Sequence, residues 1–201
     1  MKIVDLMIPD PITITAKASI QDAIEVMKTN SIRHLPVVSR EGKLVGLLTL
    51  ADLKQGLIPA MVADVTLADL IIQNPIVVGP DDDIETAARL IYKHKIGGMP
   101  VVTKGRVVGI LTETDILRAF IDMMGILSGS SRIDVAVGNE PKAYLRASKT
   151  INDSGGDIIS VAMTQRREHG RIYAFRLAAC KTGDIRKALE KEGFEVMEAM
   201  D

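Results

Sequence analysis

The chain has little of what several large protein classes require. It has one cysteine, Cys180, among 201 residues, so it cannot form an internal disulfide, and we expect a reducing compartment. No uninterrupted apolar run reaches the roughly 20 residues of a membrane-spanning helix. Asp5 interrupts the N-terminal segment before the apolar core of a signal peptide could form. We therefore expect a soluble, cytoplasmic protein without a membrane partner.

An excess of charge and the common catalytic motifs are also missing. The formal net charge is −1, and basic residues are spread along the chain, which argues against a nucleic-acid partner because nucleic-acid binding needs a basic face. The sequence contains no P-loop, no GxSxG nucleophile elbow and no HExxH zinc motif. His94 and His169 lack partners at metal-ligand spacing, so we predict no metal site. These absences predict that the protein is not an enzyme and has no catalytic residues.

The sequence does contain one unit of about 60 residues written twice. Residues 32–38 read IRHLPVV and residues 96–102 read IGGMPVV, while GKLVGLLTLADL at 42–53 matches GRVVGILTETDI at 105–116. One such unit buries only roughly 60% of its surface when it folds alone. We therefore expect the two copies to share a core, and small ligands tend to bind in the seam of such a pair.

Each copy predicts the same order of a strand, a helix, two strands and a closing helix. In the helix, apolar residues at helical spacing follow a capping residue, which is Ser19 in the first copy and Asp83 in the second. The predicted strands lie at 12–14, 35–38 and 44–48, and at 76–78, 99–102 and 107–111. This order predicts a small sheet with helices on one side.

Beyond Leu127 the pattern changes. The segment LSGSS has turn-forming residues without periodicity, which is typical of a linker. Later strands are predicted at 133–137, 158–164, 171–177 and 194–196, and the intervening helices start at Pro141 and after Thr182. The resulting βαββαβ order is ferredoxin-like.

We therefore predict an α+β fold of the α/β sandwich type, with approximate two-fold symmetry between the repeats. The predicted boundaries are 1–63 for the first repeat, 64–127 for the second, 128–131 for the linker and 132–201 for the last domain.

A repeated segment with the pattern GhhTxxD (h, apolar) has two compatible interpretations. In each copy it supplies a glycine in a strand, a threonine at the strand end and an aspartate that opens a helix: Gly46, Thr49 and Asp52, and Gly109, Thr112 and Asp115. The glycine would let another backbone approach closely. The other two residues could simply cap the helix. Alternatively, the hydroxyl could bind phosphate while the carboxylate accepts both ribose hydroxyls.

On these motifs, the first 127 residues resemble a tandem pair of CBS domains, also called a Bateman module. The resemblance implies a regulatory module that binds adenine nucleotides in two clefts between the repeats, with the backbone at Ile12 or Ile76 contacting the adenine edge. One implied cleft combines Thr112 and Asp115 with Ile12, Arg33 and His34. The other combines Thr49 and Asp52 with Ile76, Gly97 and Gly98. The Arg33 guanidinium suits phosphate, whereas the two glycines supply only backbone N–H groups.

Residues 131–201 resemble an ACT or ACT-like domain. The resemblance implies an amino-acid effector site near Asn139, Pro141 and Lys142, although members that bind amino acids usually carry glycine at the position of Lys142. Pairing through an exposed sheet edge is the alternative role. A CBS pair followed by an ACT-like domain is similar to acetoin-utilisation proteins of the AcuB type.

These resemblances together imply a non-catalytic sensor of AMP, ADP or ATP that forms a homodimer. The nucleotide would be a ligand, and no cofactor would be required. The alternatives are a regulatory subunit of a separate metabolic enzyme, or a protein that binds S-adenosylmethionine or an amino-acid effector.

Overall fold

The computed structural model describes residues 1–60, 65–127, 129–138, 140–166 and 170–201. These residues form two units, Met1–Leu117 and Arg118–Asp201. Within the described residues, every helix is too short or too polar to span a bilayer.

The first unit contains both repeats, and the predicted order of helix, two strands and closing helix is confirmed in each. The elements of the first repeat are a 3-10 helix (Ile3–Asp5), β1 (Ile8–Pro9), α1 (Ile20–Thr29), β2 (His34–Val38), β3 (Leu44–Thr49) and α2 (Leu50–Ala60). Those of the second are α3 (Leu67–Leu70), β4 (Ile72–Gln73), α4 (Ile84–His94), β5 (Gly98–Thr103), β6 (Arg106–Thr112) and α5 (Glu113–Met123).

Helix α1 begins at the predicted capping residue. The Ser19 hydroxyl oxygen accepts a hydrogen bond from the Asp22 N–H at 3.0 Å, and the Asp22 carboxylate accepts one from the Ser19 N–H at 2.9 Å. This reciprocal pair satisfies backbone donors that the first helical turn leaves free. Three apolar residues at helical spacing are then buried in the core: Ile20, Ala23 and Met27.

Each repeat completes the sheet of the other. Strand β1, which opens the first repeat, pairs with β6 of the second, and β4, which opens the second repeat, pairs with β3 of the first. The two three-stranded sheets have the orders β1-β6-β5 and β2-β3-β4. The segment before β1 also reaches the second repeat, because Lys2 Nζ donates to the carboxylate of Asp83 at 2.8 Å. Asp83 occupies the predicted N-cap position of α4 but makes no side-chain hydrogen bond to that helix.

The predicted strands around Ile12 and Ile76 are wrong. In the first repeat only Ile14 pairs with β2, through a single parallel bridge to Val37. Extending this ladder toward Ile12 would need an N–H from Pro36, and proline has none. The second repeat has the same arrangement, with a bridge between Val78 and Val101 beside Pro100.

The glycines of the repeated segment allow the exchanged strands to approach. A Cβ atom on Gly46 would lie 2.2 Å from Ile71 Cγ2 and 2.7 Å from the Ile72 carbonyl oxygen. On Gly109 it would lie 2.4 Å from Met7 Sδ and 3.2 Å from the Ile8 carbonyl oxygen. These distances confirm that a backbone approaches both glycines closely.

We expect Gly46→Ala to destabilise the protein, since the new methyl group must displace β4 and overpacking of this kind costs about 1–3 kcal/mol. Thermal unfolding followed by circular dichroism measures the effect. Gly79→Ala is the matched control in the same unit, because a Cβ there makes only ordinary contacts, the nearest at 3.6 Å from Asp82. Equal melting temperatures for the two variants would contradict the close approach.

The second unit has the predicted βαββαβ order after the end of α5. Its elements are β7 (Ser130–Gly138), α6 (Ala143–Asp153), β8 (Ile158–Arg166), β9 (Gly170–Ala178), α7 (Gly183–Lys191) and β10 (Glu195–Met200). The strands form an antiparallel sheet in the order β10-β7-β9-β8. Alternate residues of β7, among them Ile133 and Val135, are buried in a core with α6 and α7. The strict alternation explains why the sequence predicts this strand well.

Two local features of this unit differ from the prediction. Ser130 and Ser131 lie in β7, although the sequence places them in the linker. Ser131 is fully buried, and its hydroxyl donates to the Cys180 carbonyl and accepts from the Cys180 N–H, both at 2.8 Å. The second difference concerns the start of α6, which the sequence predicts at Pro141. Lys142 takes a left-handed conformation (φ 65°) at the N-cap, so the helix starts at Ala143 and Pro141 precedes it. The division between the two units falls within α5, and the domain boundaries given from the sequence stay predictions.

The N-cap residue of helix α7 is held by a residue distant in sequence. Thr182 lies at the predicted N-cap position, but its N–H and hydroxyl both donate to Asp201 Oδ1 at 2.8 Å. The backbone hydrogen bond from Thr182 is the largest cause that lowers the pKa of Asp201 to about 2, followed by the Thr182 hydroxyl and Lys181. The ionised carboxylate therefore ties the end of β10 to the start of α7.

Because its pKa is lowered on folding, Asp201 should stabilise the second unit above about pH 4, and this contribution should disappear as the pH falls toward 2. Asp201→Asn should lower the melting temperature at neutral pH, and the difference from wild type should shrink below about pH 4. Asp184→Asn is the control, since that side chain lies in the first turn of α7 and is 93% exposed. A difference that is constant across this pH range would refute the role of the carboxylate charge.

Candidate functional site

A cavity of about 540 Å³ lies in the first unit, where β2, β3 and β5 meet the starts of α2 and α5. Six of the ten predicted nucleotide-binding residues line it: Arg33, His34, Thr49, Asp52, Gly97 and Gly98. Its volume lies within the range of small-molecule sites. The other four predicted residues, Ile12, Ile76, Thr112 and Asp115, are not among its lining residues.

Thr49 and Asp52 form the helix cap that the sequence predicts as one of two roles. The Thr49 hydroxyl and N–H both donate to Asp52 Oδ2, and the Asp52 N–H donates to the Thr49 hydroxyl oxygen at 3.2 Å. These bonds use one carboxylate oxygen of Asp52. Within the described part of the chain, no side chain or backbone group donates to Oδ1.

The same hydrogen bonds recur twice in the first unit. Thr112 donates to Asp115 Oδ2 through its N–H at 2.8 Å and its hydroxyl at 2.6 Å. Thr66 donates in the same way to Asp69, at 2.9 and 2.6 Å, at the exposed start of α3. The ThrxxAsp hydrogen bonds alone therefore do not define a binding site, and the 540 Å³ cavity beside Thr49 and Asp52 is a separate observation.

His34 occupies the space that the glycine pair leaves free. A Cβ on Gly97 would lie 3.0 Å from His34 Nε2, and one on Gly98 would lie 3.4 Å from His34 Cγ. Arg33 and His34, which the resemblance assigns to one cleft, and the two glycines, which it assigns to the other, all line this cavity. The division of the residues between two clefts stays a prediction. The imidazole leaves little room for a side chain at Gly97, whereas at Gly98 the nearest atoms are the Leu111 carbonyl oxygen at 3.1 Å and Thr112 Cγ2 at 3.2 Å.

The environment of His34 favours its neutral form. Burial is the largest cause that lowers its pKa, and the nearby charge of Arg33 lowers it further. The carboxylates of Glu113 and Asp52 act in the opposite direction without reversing the shift. A neutral imidazole has one N–H donor and one acceptor nitrogen, so His34 can bind a polar ligand group of either kind.

Several lining residues were not predicted from the sequence. Lys54 and Lys95 add two cations, and Glu113 adds an acid. The apolar part of the lining is formed by Leu47, Leu50, Ala51, Ile72 and Ile96. Lys95 could have been found by aligning the repeats, because it matches Ser31 of the first copy. Both residues take a left-handed backbone conformation, with φ of 56° at Lys95 and 54° at Ser31. The cavity thus combines apolar walls with three exposed cations and two carboxylates.

The remaining predicted residues lie elsewhere. Ile12 is 41% exposed, and Ile76, Thr112 and Asp115 are half-buried. Pro141 and Lys142 are exposed before α6 in the second unit, and Asn139 lies outside the described residues, as does His169. His94 is exposed at the end of α4. No cluster of three potential metal ligands occurs in the part of the chain that the structure describes.

Comparison with known proteins agrees with the duplicated sequence. The CBS domain family model matches residues 3–58 and 67–122. Homoserine O-acetyltransferase from Methanohalobium evestigatum is 39% identical over 115 residues, which are 57% of this chain and 23% of that protein. L-aspartate semialdehyde sulfurtransferase from Methanocaldococcus jannaschii is 35% identical over 117 residues, which cover 58% of this chain and 22% of that protein. The chain therefore spans about a quarter of the length of these relatives.

Three solved structures are similar to the paired repeats. The CBS domain pair of protein MJ0100, in complex with 5-methylthioadenosine and S-adenosyl-L-methionine, has a TM-score of 0.57 at 34% identity and covers 60% of this chain and 95% of its own. AcuB from Vibrio cholerae has a TM-score of 0.57 at 30% identity, with coverages of 63% and 94%. CBSX2 from Arabidopsis thaliana, in complex with AMP, has a TM-score of 0.54 at 28% identity, with coverages of 60% and 96%. With both repeats matched by the family model, the chain belongs to the CBS domain family, as a tandem pair.

Proposed function

We propose that the first unit binds an adenine nucleotide in the 540 Å³ cavity and that the chain is a non-catalytic regulatory protein. One observation carries this proposal: Asp52 is fixed by Thr49 at the wall of a cavity that also holds three cations, Arg33, Lys54 and Lys95. A fixed carboxylate suits the two hydroxyls of a ribose, and the cations suit phosphate.

The cavity offers a place for each part of a nucleotide. Leu47, Ile72 and Ile96 supply apolar contact for a flat base. Asp52 Oδ1 can accept a ribose hydroxyl without breaking the helix cap, because the cap uses Oδ2. Arg33 and Lys95 can neutralise the phosphate charge, and a neutral His34 can donate to a phosphate oxygen. The number of cations favours AMP, ADP or ATP over S-adenosylmethionine, whose sulfonium is itself positive.

A second, related site is proposed at Thr112 and Asp115. Their hydrogen bonds repeat those of Thr49 and Asp52. The carbonyls of Ile12 and Ile76 receive no backbone hydrogen bond from the described residues, because Pro36 and Pro100 lack the N–H that would reach them. An adenine amino group could donate to either carbonyl.

The relatives support an adenosine-containing ligand. The MJ0100 pair is in complex with 5-methylthioadenosine and S-adenosyl-L-methionine, and CBSX2 is in complex with AMP. S-adenosylmethionine is the alternative ligand here, since Glu113 could bind its ammonium group.

Two curated relatives are longer enzymes, which supports the related proposal that this chain regulates a separate metabolic enzyme in the cytoplasm. Its likeness to AcuB makes acetoin metabolism one candidate pathway.

The second unit is proposed to be an ACT-like pairing domain. Its βαββαβ order and the left-handed Lys142 support this, because φ of 65° is a conformation that glycine usually supplies. The Lys142 side chain at that position argues against an amino-acid effector beside Pro141. The β8 edge carries no charge between Ile158 and Thr164, whereas the β10 edge carries Glu195 and Glu198. An uncharged edge favours pairing with a second copy.

Titration calorimetry with nucleotide-free protein tests the binding proposal. We expect AMP to bind and Asp52→Ala to weaken it by about tenfold or more, since a hydrogen bond to a charged group contributes about 1.5–3 kcal/mol. Arg33→Ala should weaken AMP far more than adenosine, because only AMP has a phosphate for the guanidinium.

Asp69→Ala is the matched control for Asp52→Ala. It removes the same ThrxxAsp cap at an exposed site outside the cavity, so it should leave AMP affinity unchanged. If AMP, ADP, ATP, adenosine and S-adenosylmethionine all fail to bind wild-type protein, the proposed function is wrong.

The pairing proposal predicts twice the chain mass in light scattering. Met163→Lys, on β8, should give monomers because a charged side chain on an edge strand opposes pairing with a second strand. Met200→Lys, on β10, is the control, since Met163 and Met200 are both about half exposed, at 56% and 46%. A wild-type monomer, or equal effects of the two variants, would count against pairing through β8.

A further inference from the structure

A second cavity, of about 410 Å³, lies in the first unit next to the candidate cleft. Its walls are apolar and come from Ile24 and Met27 on α1, Ile32 after that helix, and Leu50 at the start of α2. Met27 is only 1% exposed and also belongs to the hydrophobic core of the first repeat. The volume is large enough for a small organic molecule.

The rim of this cavity carries cations and no acid. Lys28, Ser31 and Arg33 complete the lining. Among the described residues, neither Lys28 nor Arg33 has a hydrogen-bonded or ion-paired carboxylate. Two unpaired cations above apolar walls complement a molecule with an apolar body and one anionic end. An amino acid fits less well, because the lining offers no carboxylate for its ammonium group.

The second repeat has lost this arrangement. At the positions of Lys28 and Ser31 it carries Tyr92 and Lys95, and Lys95 Nζ lies 4.5 Å from the Tyr92 ring. At the positions of Arg33 and Leu50 it carries Gly97 and Glu113, so neither rim cation keeps its position and an acid replaces an apolar wall residue. The chemistry of the cavity is therefore particular to the first repeat.

We propose that this cavity binds a short apolar carboxylate. The hydrocarbon chain lies against Ile24, Met27 and Leu50, and the carboxylate binds Lys28 and Arg33.

This site is coupled to the candidate cleft, because Arg33 and Leu50 line both cavities. A guanidinium that binds a carboxylate on one side has fewer N–H groups for a phosphate on the other. The carboxylate therefore weakens nucleotide binding, and the nucleotide weakens carboxylate binding by the same factor. This coupling rests on the proposed nucleotide function, whereas the carboxylate site itself does not.

Hexanoate is the probe, added to nucleotide-free full-length protein. Its binding is followed by calorimetry and by the NMR signal of the Met27 methyl group, assigned with Met27→Leu. We expect saturable hexanoate binding that shifts the Met27 signal. Hexan-1-ol should bind at least about tenfold more weakly than hexanoate, because the alcohol lacks the charge. Lys28→Glu should weaken hexanoate by about tenfold or more, whereas Tyr92→Glu, at the matching position of the second repeat, should not.

The coupling is tested by titrating AMP with and without saturating hexanoate. AMP should bind several-fold more weakly with hexanoate present, adenosine should be unaffected, and Lys28→Glu should abolish the difference. Hexanoate binding without any effect on AMP would overturn the coupling. If no adenine compound binds but hexanoate still shifts Met27, the proposed function fails and this site stands.

Three results would overturn the carboxylate site. One is the absence of a saturable Met27 shift, and another is equal loss of binding in Lys28→Glu and Tyr92→Glu. The third combines two results: wild type does not bind hexanoate, and Ile24→Arg has half the mass of wild type in light scattering. Together they would show that a second copy occupies the cavity.

Discussion

The first unit depends on the close approach of two exchanged strands at Gly46 and Gly109. Any larger residue at these positions would meet Ile71 or Met7 at less than van der Waals distance. The exchange places β4 on β3 and β1 on β6, so neither repeat has a complete sheet without the other. The strand exchange also forms part of the wall of the candidate cleft, since Ile72 of β4 pairs with Leu47 of β3 and both line the cavity.

In the proposed function, the same aspartate serves helix capping and ligand binding. Asp52 fixes the start of α2 through Oδ2, and Asp52 also lines the cavity. A group already held by the fold loses little conformational entropy when it binds a ligand. The three ThrxxAsp pairs share their hydrogen bonds, so the proposal for Asp52 rests on the cations and apolar walls beside it.

The sequence predicted the duplicated architecture because its signals are local. Ser19 and Asp22 lie within one helical turn of each other, and β7 alternates buried and half-buried residues, so both elements were found by pattern alone. The exchange of β1 and β4 was not predicted, since two-residue strands have no periodicity and their partners are distant in sequence. The predicted strands around Ile12 and Ile76 were wrong. The prediction used the apolar pattern alone, which contains no information about the missing N–H of a proline on the neighbouring strand.

For the candidate site, six of the ten predicted residues line one cavity, and the role of each stays a prediction. The resemblance implied two chemically different clefts, one with Arg33 and His34 and one with Gly97 and Gly98. The structure packs the His34 ring against those glycines, because residues at matching positions of the two copies face each other across the seam. The position of a residue in its repeat predicts which residue of the other copy it matches. The approximate two-fold symmetry determines which residues it contacts.

The exchanged strands also set an order of assembly. Pairing of β4 with β3 joins residues about 25 positions apart, and pairing of β1 with β6 joins residues about 100 apart, so the second closure costs roughly 1 kcal/mol more chain entropy. During synthesis the sheet β2-β3-β4 can form once β4 has emerged, while β1 must wait for β6. Until then the Met7 and Ile8 side chains have no sheet to cover, and the nascent chain exposes its first apolar segment for the time needed to make most of the second repeat.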